Sequence, residues 1–303
     1  MMKSNLIALI LSLSTATFAI APQPLLAQSA PRQIVKLKDD LPRFSYPISS
    51  TATDLVRAPD PTFALFATKV SADIDAVLTH YDIRDVATLR ELYSMRLSLQ
   101  LLDGKNDEAL ATIAVMRGLS EKPSEKLLTG LSSMAVARAR LSTGQTSGAA
   151  YAKAFGRSLA QSLDPIPWLV VSNSVKQRRG DALIASDDNM LGLLQAYVEP
   201  GVVKTHQLSL DGAAQVIRAR LFVRYQSATV PQELAALTAY IAAHDVPKHD
   251  IWPAREVDLT GAEGLTPVPV AIWDVGVDLS LFPAQTFVDP TPGTSSDPHG
   301  LAV

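Results

Sequence analysis

The sequence contains no cysteine. That absence excludes disulfides, thiolate nucleophiles, cysteine-bound metals and a lipid-modified cysteine anchor. Aromatic residues are scarce, at 6% of 303 residues, while leucine and alanine are abundant, a balance that favours packed helices over a β-sandwich. Charge of one sign is also lacking. A formal net charge of −3 is too near neutral to draw nucleic acid or an anionic membrane surface as partner. No Gly-rich phosphate loop, zinc-protease helix motif or calcium loop occurs, so the sequence implies no cofactor and no metal. What remains is ample apolar material: 47% hydrophobic against 19% charged residues supports a large core in one large or two ordinary domains.

Long hydrophobic runs are missing too, with one exception. Lys3 precedes an apolar run from Leu6 to Ala21, and PQPLLAQSA then offers cleavage after Ala27 or Ser29. The run falls short of the ~20 residues a membrane-spanning helix needs. Residues 1–29 therefore read as a cleaved signal peptide, and the expected location is exported, periplasmic or secreted, with no membrane span after cleavage.

Residues 30–60 carry Pro31, Pro42, Pro47, Pro59 and a Ser/Thr cluster at 49–53, which predicts an extended lead-in with little regular structure. Helical periodicity takes over from about Pro61 to Asp245, and a helical domain is expected over 61–250. Leu89, Leu92, Met95, Leu99 and Leu102 fall on one helix face. Gly104 stops that helix, and Asn106 is placed to cap the next, whose stripe includes Leu110, Ile113 and Met116. Pro123 and Ser124 mark another break and start. Thr229 followed by Gln232 is a capping-box signal for the helix holding Leu234, Leu237 and Ile241.

A weak repeat links LLDGKNDEAL at 101–110 to LSTGQTSGAA at 141–150, with Gly104 and Gly144 at the turns. This stretch resembles tetratricopeptide-type helical hairpins, with Gly104, Ala109 and Pro123 in the family's turn, packing and terminating positions. The 40-residue offset between the glycines departs from that family's period of ~34, and a generic antiparallel helix array accounts for the same residues.

Three polar clusters read as structure rather than chemistry. In HDVPKHD, His244, Asp245, His249 and Asp250 crowd together, yet Pro247 points to a helix end and a surface turn. Lys176, Arg178 and Arg179 read as a cationic last turn closing a helix near Gly180. Arg179-Gly180-Asp181 spells an adhesion tripeptide with no display loop around it.

Beyond Asp245 prolines break any helix, and Val268 to Trp273 is a short strand, apolar on both sides, running into Asp274 and Gly276. A carboxylate at the carboxyl edge of a buried strand stands where open α/β sheets place functional groups. The stretch VAIWDVGVD resembles the aspartate motif of subtilisin-like serine peptidases (subtilases), most closely of exported bacterial ones with a helical region ahead of the protease core. The resemblance covers about residues 265–303. It implies that Asp274 is the triad aspartate, accepting the histidine Nδ1–H and stabilising the imidazolium. Val275 stands where the family has Ser or Thr. His299-Gly300 reads either as the base, with Leu301 and Ala302 replacing the family's Thr and second His, or as a solvated loop histidine. Gly293-Thr294-Ser295-Ser296 mimics the serine motif but precedes His299 and opens no helix.

The expectation is thus a mainly α protein: a helical-hairpin array followed, over 251–303, by a short strand and loop segment resembling the truncated start of an α/β subtilase domain. Its function would be that of an N-terminal fragment or degenerate form of a secreted serine endopeptidase, a hydrolase whose triad is incomplete and which is inactive alone. The alternative is a stand-alone exported helical-repeat module. The partner is a polypeptide substrate or another protein in either case.

Overall fold

A computed structural model of the chain describes residues 32–246 and three isolated positions beyond them, Gly261, Gly264 and Thr266. The fold is mainly α. The expected signal peptide, the expected strand at 268–273, Asp274, His299 and the stretch 293–296 all lie outside the described residues.

The lead-in holds more regular structure than its prolines suggest. It forms strand β1 (Gln33–Val35), a single 3₁₀ turn, strand β2 (Ser45–Pro47) and helix α1 (Ala52–Arg57). The Ser/Thr cluster is a helix start: Thr51 caps α1 by accepting the Asp54 N–H at 3.0 Å. Pro59 and Pro61 then open helix α2 (Asp60–His80), where a missing N–H costs nothing. Strand β3 (Tyr81–Ile83) follows and pairs in parallel with β1.

Helix α3 (Val86–Leu102) is capped by Asp85, whose carboxylate accepts the Thr88 N–H at 3.0 Å. Its stripe behaves as the periodicity predicts: Leu92, Met95 and Leu99 are buried, with Leu89 and Leu102 packed beside them. Gly104, at φ +74°, turns the chain into helix α4 (Asn106–Gly118). Asn106 does not cap α4 as expected. Lys105 occupies the cap, Asn106 is already inside the first turn, and its Oδ1 has no partner. A residue drawn into the helix can no longer aim its side chain back at the first N–H groups.

Helix α5 (Pro123–Leu128) opens on its proline and leads to α6 (Leu131–Thr143). Gly130 between them is required twice over. Its φ is +73°, and a Cβ there would meet Ile113 Cγ2 at 2.7 Å. Gly144, at φ +66°, turns α6 into α7 (Gly148–Leu163). The two glycine-closed hairpins, α3–α4 and α6–α7, share a turn but not a packing plan: Ala109 is fully buried and Ala149 is exposed.

Helix α8 (Trp168–Ile184) runs through Gly180 rather than ending there. Apart from its own helix backbone and chain neighbours, nothing lies within 4 Å of where a Cβ would stand on that glycine, so the helix bears only glycine's intrinsic cost and continues. Helices α9 (Asp187–Tyr197) and α10 (Glu199–Thr205), strand β4 (Gln207–Ser209) and helix α11 (Leu210–Leu221) follow, β4 pairing antiparallel with β2. Thr205 Oγ1 bonds both the carbonyl and the N–H of Gln207, so the first residue of β4 has its backbone groups occupied by a side chain. A π-turn at Phe222–Gln226 leads to α12 (Val230–His244). Thr229 does precede α12, but the capping box is not formed. Its hydroxyl donates back to the Gln226 carbonyl at 2.8 Å, and Gln232 Oε1 is buried without a partner.

Two apolar clusters result. The first joins the lead-in to α2, α3, α9, α10 and α11 through Val35, Tyr46, Val56, Ile74, Leu92 and Ile217. The second joins α4, α6, α7, α8 and α12 through Ile113, Leu131, Phe155, Leu159, Val175 and Leu237. Helix α3 serves both, giving Leu92, Met95 and Leu99 to the first and Leu97 and Leu101 to the second.

Candidate functional site

The described body sets its buried charge against helix ends. Arg140 of α6 is 5% exposed and donates through Nη1 to the carbonyl of Leu101, in the last turn of α3, while its plane stacks on Tyr225 at 4.1 Å. No carboxylate pairs with it among the described residues, and burial pulls its pKa down from the usual guanidinium range. The partial negative charge of a helix C-terminus and the face of an aromatic ring take the place of an acid. Arg220 of α11 does the same for α1, donating to the carbonyls of Val56 at 2.6 Å and Ala58 at 2.8 Å and pairing with Asp60. Arg117 of α4 holds the carbonyls of Leu127 and Thr129 at the end of α5. The mirror case is Glu199. Its carboxylate accepts the N–H groups of Ala52 and Thr53 at 3.1 and 3.0 Å, so α1 is held at both ends by residues from the far half of the body.

The closest approach to a catalytic constellation is a knot between α6, α8 and α12. Ser132 donates to Glu233 Oε1 at 2.5 Å, and Arg178 donates to both, at 2.6 Å to the hydroxyl and 3.2 Å to the carboxylate. Ser132 is 9% exposed and lies in the first turn of α6, so its oxygen is enclosed by the partners that bind it. A nucleophile needs a base that is free to take its proton; here the carboxylate is already neutralised by a guanidinium. The knot is a three-helix clasp. Sequence periodicity gives no sign of it, because Arg178 stands 46 residues from Ser132 and 55 from Glu233 along the chain.

The basic run at 176–179 divides its labour. Arg178 turns inward to this clasp. Lys176 reaches Asp245 at 2.8 Å and lies over Trp168, and Arg179 donates from Nε to the Thr238 hydroxyl at 3.1 Å. Lys176 and Arg179 line an open groove of about 410 Å³ between α8 and α12, floored by Thr238, Ile241 and Ala242. The tripeptide at 179–181 is helical backbone, not a display loop. Of the HDVPKHD cluster, His244 packs on Tyr240 and Trp168 and bonds the Tyr240 carbonyl, and Asp245 is taken by Lys176. His249 and Asp250 lie outside the described residues. A second open hollow, about 330 Å³, lies between α10 and β4–α11 with Tyr197 at its rim.

Among the described residues no group of three acidic or histidine side chains is arranged to hold a metal, and no described helix is long and apolar enough to cross a membrane. Comparison of the chain with known protein families, curated proteins and solved structures finds no match.

Proposed function

We propose that the chain joins a helical protein-binding module, residues 32–246, to the opening strand of a subtilisin-like serine peptidase domain whose triad aspartate is Asp274. The observation that carries the peptidase half is the stretch VAIWDVGVD, an apolar run delivering a carboxylate and a glycine in the subtilase pattern. The helical half is supported by the clasps just described. Buried arginines and Glu199 tie remote segments into a rigid body whose open features are shallow grooves, a build suited to holding a polypeptide rather than reacting with one. In this reading the partner of the helical module is a polypeptide.

Reading the coding DNA beyond Val303 tests the peptidase half. In-frame His-Gly-Thr-His-like and Gly-Thr-Ser-Met-like stretches are the expected result; a stop codon directly after Val303 would sink it and leave a stand-alone exported helical module. That second reading draws its own support from the two glycine-closed hairpins, α3–α4 and α6–α7. Treating the purified chain with a fluorophosphonate probe checks its chemistry. No serine, Ser132 included, should be labelled, and stoichiometric labelling at any serine would overturn the assignment of this chain as inactive by itself.

A further inference from the structure

The groove between α8 and α12 has a chemistry of its own, and the inference drawn from it rests on the protein-binding reading of the helical module. Its two cations are not equivalent. Lys176 is balanced by Asp245. Arg179 is half-buried and uses only Nε, on the neutral hydroxyl of Thr238, and no carboxylate pairs with its guanidinium among the described residues. The two Nη groups are the pair of donors that match a carboxylate in bidentate fashion, the strongest contact a guanidinium makes. The neighbouring cations of α8 are committed: Arg178 to Glu233 and Ser132, Lys176 to Asp245. Beside Arg179 the floor is apolar, from Ile241 and Ala242. A half-desolvated cation with idle donors next to an apolar strip matches a ligand that carries a carboxylate and an aliphatic side chain within a residue or two of each other.

We propose that this groove binds an acidic, leucine-rich segment of a polypeptide partner, its carboxylate on the Nη groups of Arg179 and its aliphatic side chain on Ile241 and Ala242. Lys176 lines the groove beside Arg179 with its charge balanced by Asp245, and salt that loosens this pair changes how strongly Lys176 supports the complex. Thr238 is a positioning residue, since its hydroxyl accepts the Nε–H and so orients the guanidinium.

The test uses the full chain and two synthetic peptides, acetyl-Leu-Glu-Glu-Leu-Leu-amide and the same peptide with both glutamates replaced by glutamine, titrated by calorimetry. Arginine side-chain NMR is recorded in parallel. The glutamate peptide should bind about tenfold or more tightly than the glutamine peptide, as one bidentate ion pair at a partly desolvated site provides. Arg179→Gln should erase that preference while leaving the thermal melt unchanged. Ala242→Glu, which places a carboxylate in the groove permanently, should block both peptides; it keeps the test decisive if Arg179→Gln folds poorly. Equal binding of the two peptides, a preference that survives Arg179→Gln, or tighter binding of a single-stranded oligonucleotide than of the glutamate peptide would each overturn the proposal. None of these outcomes bears on Asp274, so the groove and the peptidase assignment fail separately.

Discussion

The two apolar clusters of the helical body are built by opposite strategies. The second is framed by two local hairpins, α3 turning at Gly104 into α4 and α6 turning at Gly144 into α7, onto which α12 packs from farther along the chain against α7 and α8. The first is closed by the lead-in, which returns across the body to meet residues 146 to 173 positions away, Glu199 and Asp211 among them. Local hairpins cost little loop-closure entropy and can form early, whereas the strap must wait for its remote partners. A region closed by remote contacts therefore depends on a few charged clasps, and a region closed by hairpins depends on turn geometry. That contrast can be broken or sharpened by substitution.

The largest effect is expected at Arg220. Arg220→Ala leaves the carbonyls of Val56 and Ala58 without donors under a closed core, a loss of about 3 kcal/mol. Hydrogen exchange should show residues 32–58 losing protection well before α6 and α7 do. Uniform loss across both clusters would contradict the two-strategy account. Gly130→Ala tests turn geometry in the second cluster, at the α5–α6 junction: a left-handed backbone and the approach to Ile113 combine to cost about 2–3 kcal/mol by thermal melting. Pairing it with Ile113→Ala, which removes both γ-carbons the new methyl meets, should cost less than the sum of the two single changes, because the steric share is relieved and the backbone share is not.

Glu199→Gln should cost about 1–2 kcal/mol in urea titrations, since the single carboxamide oxygen accepts from only one of Ala52 and Thr53, the NH2 faces the other donor, and the charge at the start of α1 is lost. The smallest effect at neutral pH is expected at Asp85. Hydrogen bonds from the Thr88 hydroxyl and N–H hold its carboxyl below the ordinary aspartate pKa. Its contribution is therefore complete above that ordinary value and is lost as pH falls through the lowered one. Asp85→Asn keeps a capping side chain, so the melting temperature should barely change at pH 7 while its decline in acid becomes shallower. An unchanged acid limb would show that the cap carries no proton linkage. At the alkaline end Lys38 behaves in the opposite sense. Burial pulls its pKa down, but hydrogen bonds to Asp211 and Glu91 outweigh that and raise it.

Much of the helical body is legible residue by residue. The stripe through Leu92, Met95 and Leu99, the stop at Gly104 and the starts at Pro123 and Val230 are local events, decided by spacing and by residues with restricted backbones. The failures have a common physical cause. Asn106 and Thr229 read as caps because of what they are, yet one is drawn into its helix and the other bonds backwards. Cap geometry depends on the incoming chain direction, which is tertiary. The lead-in reads as irregular because Pro42, Pro47 and Pro59 break local patterns, although strands β1 and β2 need only distant partners. No pattern near residue 132 or 178 announces that Ser132, Arg178 and Glu233 will meet.

By itself the sequence determined the mainly α class of this protein, because helix periodicity and a leucine- and alanine-rich composition are properties of neighbouring residues. Only the tertiary structure decided where the charges go. Arg140, Arg220 and Glu199 became helix clasps and Arg179 was left facing a groove, since the free energy of a charged group depends on what is brought beside it, and those neighbours are far away along the chain.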